Sequence, residues 1–293
     1  MTHTPLSVGL HEGIPAHIYH ADPAPMPSLS SSLARVLIND SPRHACSQHP
    51  RLNPDKVARE STDSMDLGTL VHAILAGDRG GIEVGLFDDY RSKAAREWRD
   101  GVRATGATPV LEKHLHAANP IADAVKASIG KGVDNGPFRE GVRAMSEAVA
   151  IWQEGDEYCR ALVDRLTFGE HSADLWDWKT TTDVSDRAIE KTVANYGYAT
   201  QLAFYLRGLR KLLPAVGQLS ASIGFVEIAP PYTVRRVYFS AEYMAHADRE
   251  VSRAIRLWQD CRATGDWSDP RNGSDYCLEL PGYLVADDNI TID

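Results

Sequence analysis

Two residues near the middle of the chain have the types and spacing to hold a metal ion and act on a substrate. Asp177 and Lys179 stand two positions apart in the segment LWDWK, whose aromatic and apolar residues predict a β-strand. Side chains two apart in a strand share a face of the sheet, so a carboxylate and an ammonium would meet there. A D-x-K triplet is common and is usually a pair of solvated charges, but flanking tryptophans make that less expected here. Asp174 is a rival carboxylate, and parity places it on the opposite face.

A second carboxylate comes from the preceding predicted strand. Residues 158–168 and 173–179 are separated by a short turn, and an antiparallel hairpin would place Asp164 beside Asp177. Two converging carboxylates repel each other unless a cation holds them, and such oxygen ligands suit Mg²⁺ or Mn²⁺. A lysine beside the metal can orient or help deprotonate a water and can stabilise developing phosphate charge. These groups, with one or two ions, are the parts needed for metal-assisted hydrolysis of a phosphodiester.

Further residues could support this site, although each has a plainer structural explanation. Gln201 and Tyr205 are four apart on a predicted helix and could contact a phosphate or a base, or they could be polar tips of a partly buried helix. His72 lies on the apolar stripe of another predicted helix, where a histidine is usually a core residue. Glu147 opens the first predicted strand and could bind a second ion or orient the lysine.

The elements that must position these residues follow helical and strand-like patterns in turn. Helices are predicted at 28–40, 64–77, 109–129, 184–195, 198–213 and 241–263. Strands are predicted at 147–153, 158–168, 173–179, 221–229 and 233–239. Residues 1–28 contain five prolines and are predicted to be irregular, and the glycine-rich residues 130–141 are predicted to be a plain loop because no GK[ST] follows. This order fits an α/β or α+β sandwich.

The composition indicates an ordinary globular protein. Hydrophobic residues make up 43% and charged residues 24% of 293 positions, which excludes a collagen-like or wholly disordered chain. No apolar run approaches the ~18 residues of a membrane helix, and no secretory signal is visible, so we expect a cytoplasmic protein without a membrane partner. Four scattered cysteines without a C-x-x-C pair argue against a zinc ribbon or an iron–sulfur cluster and predict reduced thiols.

The formal charge of −9 is unevenly distributed along the chain. Residues 264–293 carry seven acidic residues and one basic residue, a charge of −6, which leaves −3 for residues 1–263. The three carboxylates of the predicted site account for that remainder. This balance excludes blanket electrostatic adhesion to nucleic acid but leaves open a metal-dependent enzyme that acts on it. The basic residues of one stretch, which could grip phosphates or form a solvated face, are Arg91, Lys93, Arg96, Arg99 and Arg103.

Six motifs in one order resemble the PD-(D/E)XK nuclease superfamily. Within it they are most similar to the RecE-type exonuclease VIII family of phage and prophage recombination exonucleases, which are related to RecB nuclease domains. The resemblance covers about residues 17–262. Its motifs are IYHADPAPMPSLSSSLARVLINDSPRHA, GTLVH (68–72), SEAVAIW (146–152), CRALVD (159–164), DLWDWKTT (174–181) and NYGYATQLAFY (195–205).

The resemblance implies roles for the matched positions. The implied metal ligands are His72, Asp164, Asp177 and the backbone carbonyl of Trp178. The implied catalytic residues are Lys179, Glu147, Asp164 and Asp177. The residues expected to contact DNA are Gln201, Tyr205, Arg160 and Thr180, to which the basic stretch adds Arg96.

The resemblance also implies an architecture. We expect a restriction-endonuclease-like core, in which helices flank a central mixed sheet, with an N-terminal helical extension. Residues 1–263 would form a single nuclease domain, mainly helical over 1–140 and with a catalytic βββαβ core over 141–263. Residues 264–293 would be an acidic, irregular tail. The scattered cysteines are a departure from the iron–sulfur nucleases of the wider group.

The implied activity is Mg²⁺- or Mn²⁺-dependent exonuclease action on linear duplex DNA. Degradation would run 5′→3′ and leave 3′ single strands for a single-strand annealing protein, and the enzyme would be a homo-oligomeric ring of phage or prophage origin in a bacterial cytoplasm. Two alternatives remain open. One is a RecB-like nuclease with another polarity or a single-strand or flap substrate. The other is a decayed nuclease that binds DNA as a recombination module, which the complete set of motif carboxylates and the lysine disfavour.

Overall fold

The computed structural model describes residues 4–56, 62–78, 81–129 and 136–280. The N-terminal part contains β1 (Gly9–His11), α1 (Ala16–His20), β2 (Ser28–Ser30), α2 (Ser31–Asn39), α3 (Pro42–Gln48), α4 (Asp63–Ala76), β3 (Ile82–Gly85), α5 (Lys93–Ala104), β4 (Thr108–Leu111) and α6 (Glu112–Ser128). The C-terminal part contains β5 (Arg143–Glu154), β6 (Glu157–Phe168), β7 (Ser172–Thr181), α7 (Asp186–Tyr196), α8 (Tyr198–Leu212), β8 (Gln218–Glu227), β9 (Val234–Val237) and α9 (Ala241–Thr264). None of the described helices combines the length and apolarity needed to cross a membrane.

A mixed sheet in the order β1-β5-β6-β7-β8-β9 forms the centre of the fold. Strands β5, β6 and β7 make an antiparallel meander, β8 returns parallel to β7 after two helices, and β9 pairs antiparallel with β8. The edge of β6 away from β5 changes partner along its length. It pairs with β2 at residues 158–160 and with β7 at 165–168, so residues 161–164 pair with no described strand on that side. The sheet therefore opens next to Asp164.

Helices cover both faces of the sheet. On one face α2, α8 and α9 pack together around Trp152, Phe204 and Trp258, all fully buried. On the other face α4 and α6 pack over Trp176 and Trp178. Each such aromatic side chain removes about 150–250 Å² from water, which stabilises the fold by roughly 4–6 kcal/mol at ~25 cal/mol per Å². The predicted α/β fold with a central mixed sheet flanked by helices is confirmed.

The N-terminal part is less irregular than predicted. Residues 1–28 are expected to lack regular structure, but β1 and α1 lie within them. The helix predicted at 28–40 begins only at Ser31, because residues 28–30 form β2. The predicted helix at 109–129 begins at Glu112 because residues 108–111 form β4, which pairs in parallel with β3. Strands of three or four residues are too short to show alternation, so only their partners reveal them. Residues 130–135 of the predicted loop and 281–293 of the predicted tail lie outside the described residues.

Candidate active site

Three carboxylates line up across the meander where its hydrogen-bonded ladder is interrupted. On β5, Glu147 stands between Ser146 and Ala148, whose partners on β6 flank Asp164. Pairing of β6 with β7 ends at Arg165 and Trp176, one residue short of Asp164 and Asp177. The register thus brings Glu147, Asp164 and Asp177 into one cross-strand row.

Glu147 also departs from strand conformation. Its φ of +47° lies in the left-handed region that a residue with a side chain rarely adopts. Such a backbone costs about 1–3 kcal/mol and persists only where the surrounding structure enforces it. The strained backbone coincides with the break in the hydrogen-bonded ladder. At this position the fold loses some stability and gains a particular orientation of the Glu147 side chain.

His72 approaches the row from α4. Thr62 caps this helix by accepting from the Met65 N–H, and the buried side chains of Leu70 and Val71 fix its apolar face in the α4/α6 layer. His72 Nδ1 then lies 3.4 Å from Asp164 Oδ2, and its Nε2 lies 3.0 Å from the carbonyl oxygen of Trp178. The Trp178 N–H donates to the same Asp164 oxygen at 2.8 Å. Asp164 is therefore held from two sides.

The donor atoms at this point fit a divalent cation. One ligand atom from each of His72, Glu147 and Asp164 lies within 4.8 Å of the others. Two carboxylate oxygens suit Mg²⁺ or Mn²⁺, and an imidazole nitrogen is a ligand that Mn²⁺ also accepts. The Trp178 carbonyl oxygen adds a fourth donor beside the imidazole. Compared with the expected ligands, the cluster contains Glu147 as well, and Asp177 lies next to it with its carboxylate turned to other partners.

Those partners are Lys179 and Gln201. Lys179 Nζ lies 2.5 Å from Asp177 Oδ2, so the two side chains share a face of the sheet as strand parity predicts. Gln201 on α8 donates from Nε2 to Asp177 Oδ1 at 2.9 Å and to the Tyr205 hydroxyl at 3.1 Å. Asp177 is only 1% exposed. Its carboxylate is consequently fixed in place, and it fixes the lysine in turn.

The carboxyl groups of the row differ in their electrostatics. Burial and the adjacent Asp164 carboxylate raise the pKa of Glu147 to about 7. Burial raises the pKa of Asp177 to about 6, although Lys179 acts against it. For Asp164, burial is outweighed by the neighbouring His72 and Lys179, which lower its pKa. Converging carboxylates that repel each other in a buried site are the environment in which a bound cation brings most relief.

The two basic groups show the opposite balance. Burial alone would lower the pKa of His72, but the Asp164 carboxylate outweighs it and raises the pKa to about 9. Burial acts in the same sense on Lys179, and Asp177 and Asp164 together raise its pKa above the usual value. Lys179 is therefore a cation held among carboxylates, suited to stabilise negative charge on a substrate.

Two residues expected to contact DNA are placed elsewhere. Arg160 is buried, with Nη1 3.2 Å from Asp22 Oδ1 and donating to the carbonyl oxygen of Ser28 at 2.5 Å. Tyr205 is 6% exposed and accepts the hydrogen bond from Gln201. Neither side chain has a surface to offer a phosphate, so the expectation that they grip DNA is wrong. Arg160 anchors the N-terminal segment, and Tyr205 positions Gln201.

The remaining expected DNA contacts are nearer the surface. Thr180 is half-buried on β7 and faces α4, where a Cβ on Gly68 would lie 3.5 Å from its Oγ1. Arg96 is exposed on α5, which packs against β3 and β4. Both stay predictions. The structure adds Tyr198, whose ring centroid lies 4.9 Å from Lys179 Nζ, a contact that no local sequence pattern signals.

Comparisons with known proteins bear on the family and the fold of this chain. A family model described as the PD-(D/E)XK nuclease superfamily matches residues 28–278. A protein from Eubacterium rectale to which an exonuclease function has been ascribed shares the fold, with a TM-score of 0.53, 11% identity and coverage of 94% of this chain and 96% of its own. The protein SSO0001 also matches, with 13% identity, a TM-score of 0.27 and coverage of 68% of this chain and 88% of its own. VC1899 from Vibrio cholerae matches with 14% identity, a TM-score of 0.21 and coverage of 81% of this chain and 57% of its own. The comparison with curated proteins finds no match.

Proposed function

Because this chain belongs to the PD-(D/E)XK nuclease superfamily, we propose that it is a metal-dependent DNA exonuclease that degrades linear duplex DNA in the 5′→3′ direction. The observation that carries the proposal is the convergence of His72, Glu147 and Asp164 beside the Asp177–Lys179 pair. The exonuclease function ascribed to the Eubacterium rectale protein favours action from an end over internal cleavage.

The metal-holding residues would be His72, Glu147 and Asp164, with the Trp178 carbonyl and the Asp177 carboxylate available beside them. We propose Mg²⁺ or Mn²⁺ as the ion, in one or two copies. When bound, such an ion lowers the pKa of a water and neutralises charge that develops on a phosphoryl oxygen.

Lys179 would act on the substrate itself. Its ammonium is held by Asp177, so it can donate hydrogen bonds to a non-bridging oxygen of the scissile phosphate without losing orientation. Gln201 holds the other oxygen of Asp177, and Tyr205 holds Gln201. This chain of contacts pre-orients the cation in a buried setting, where electrostatic stabilisation of the transition state is stronger than in water.

The wider setting of the reaction follows from the same proposal. The 3′ single strand left by 5′→3′ degradation would pass to a single-strand annealing protein. A homo-oligomeric ring would keep the enzyme on its DNA track, and the host compartment would be the cytoplasm of a bacterium that carries a phage or prophage.

The test is digestion of linear duplex DNA labelled at either the 5′ or the 3′ end, with single strands, flaps and closed circles as parallel substrates. In Mg²⁺ the 5′ label should be released first while the 3′ label stays in a single strand and circles remain intact. Lys179→Ala should abolish release, and Lys191→Ala, which changes an exposed lysine on α7, should not. First release of the 3′ label, or cleavage of single strands alone, would support a nuclease of different specificity. DNA binding without release would support a decayed nuclease.

A further inference from the structure

A Tyr-Gly-Tyr turn next to the catalytic lysine folds two aromatic rings onto each other. Gly197 ends α7 and begins α8 with a φ of +66°, a left-handed conformation that glycine adopts without strain. The flanking Tyr196 and Tyr198 consequently point the same way. Their ring centroids lie 5.6 Å apart and their planes differ by 15°, so the rings are stacked.

This stack runs from the active site to the surface. The inner ring, Tyr198, is half-buried, lies 4.9 Å from Lys179 Nζ and packs at 6.1 Å against Phe225 of β8. The outer ring, Tyr196, is 58% exposed. A single exposed tyrosine needs no explanation, but this one extends a row of groups that begins at Asp177 and passes through Lys179 and Tyr198.

Two positively charged side chains lie close to the Tyr-Gly-Tyr turn. Lys179 lies at the inner ring, and the Arg35 side chain lies against the turn, where a Cβ added at Gly197 would come within 3.1 Å of its Cδ. Arg35 Nη1 donates to the carbonyl oxygen of Asn195 at 3.2 Å, which holds the guanidinium beside the turn. An aromatic surface with two cations beside it matches a nucleotide, which has a flat base and an anionic phosphate.

We propose that Tyr196 and Tyr198 form a stacking platform for an unpaired base of the strand that is being cut. The proposal rests on the proposed nuclease function and names the form in which the substrate is bound: a strand end that has separated from its complement. Since every base has a π face, the platform would accept any sequence. Its position beside Lys179 would hold the sugar–phosphate backbone in register for cleavage.

The experiment combines single abasic sites with variants of the outer ring. Duplexes with one abasic site at each of the first few nucleotides of the degraded strand are digested in Mg²⁺. For the wild type, one position should lower kcat/KM by about 5- to 150-fold, the range expected for loss of one base–aromatic stack. Tyr196→Ala should lower kcat/KM on normal DNA and remove that position-specific penalty, whereas Tyr196→Phe should keep it. The same penalty in Tyr196→Ala as in the wild type would overturn the proposal.

A binding measurement separates failure of the platform from failure of the nuclease proposal. Single strands that carry 2-aminopurine near one end lose fluorescence when that base stacks on an aromatic ring. The wild type and Tyr276→Ala, which changes a tyrosine that is 83% exposed elsewhere on the surface, should quench the probe, and Tyr196→Ala should not. This pattern would support the platform even if no nucleotide were released. Absence of quenching by the wild type would overturn it even if digestion proceeded.

Discussion

Replacing Glu147 by glutamine is expected to stabilise the metal-free protein while it weakens metal binding. Among the residues that the structure describes, none donates a hydrogen bond to the Glu147 carboxylate, and Asp164 repels it. The backbone at this position is already strained, at a φ of +47°. A carboxylate in this setting opposes folding unless a cation is present, so removing its charge should favour the folded state.

The pKa of Glu147 gives the size and the pH range of the effect. Folding raises the pKa from 4.5 to about 7, which at ~1.36 kcal/mol per pH unit destabilises the charged form by roughly 3 kcal/mol at most. The unfolded chain loses this proton first as the pH rises, so wild-type stability falls between 4.5 and about 7. The glutamine amide would have no hydrogen-bond partner among the described residues, and this unsatisfied group costs about 1–2 kcal/mol of stability. The net gain should be about 1–2 kcal/mol near neutral pH and should become a loss of about 1–2 kcal/mol below the unfolded pKa, where only the cost of the amide remains.

Urea unfolding in the presence of a chelator measures this gain. The free energy of unfolding of Glu147→Gln should exceed that of the wild type at about pH 8 and fall below it at about pH 4. Glu190→Gln, which changes an exposed glutamate on α7, should shift it by less than about 0.5 kcal/mol. Mn²⁺ at about 100 times Kd should then add about 2.7 kcal/mol to the wild type and less to Glu147→Gln. A less stable variant at high pH without metal would refute the reasoning.

Three further substitutions test the packing and the buried charges. Gly208→Ala places a methyl group 2.7 Å from the buried ring of Trp152 and should lower the free energy of unfolding by about 1–3 kcal/mol. In Gly101→Ala on α5 the added methyl group meets open space, so the free energy of unfolding should rise by about 1 kcal/mol. Equal shifts of the two glycine variants in urea unfolding would contradict this difference. Asp22→Asn leaves the buried Arg160 without its carboxylate and should cost about 3–5 kcal/mol. Burial alone would raise the pKa of Asp22, but its hydrogen bonds and Arg160 outweigh burial and lower it. The carboxylate therefore stabilises the folded protein above about pH 4, and this stabilisation is lost in stronger acid. Acid titration of Asp22→Asn should not show that loss.

Local patterns were sufficient to predict the strands that carry the carboxylate row and Lys179. Alternation within β7 predicts that Asp177 and Lys179 share a face, and the short turn between β6 and β7 predicts that Asp164 lies beside Asp177. Both predictions depend on residues that are close together in the chain. Local patterns do not predict contacts between distant segments. The bond between Arg160 and Ser28 joins residues 132 positions apart, and nothing around either residue signals it.

The conformation of Glu147 could not be predicted for a different reason. Its position in β5 follows the strand pattern, whereas its left-handed φ results from the interrupted ladder across three strands. Tyr205 shows the same limit, because the i, i+4 spacing correctly groups it with Gln201 but does not tell which of the two side chains is buried. For residues close together in the chain, the sequence therefore predicts which side chains meet, and the tertiary structure decides which of them can reach a substrate.

The rate of nucleotide release from linear duplex DNA, measured for the wild type and for Lys179→Ala, tests the central claim most directly. The wild type should release nucleotides in Mg²⁺ or Mn²⁺ and stop when a chelator is added. Lys179→Ala should still bind Mn²⁺ but should be at least about 100-fold slower, because it lacks the cation that stabilises the developing phosphate charge. Lys191→Ala should match the wild type. Release by Lys179→Ala at the wild-type rate, or release that persists in chelator, would contradict the account.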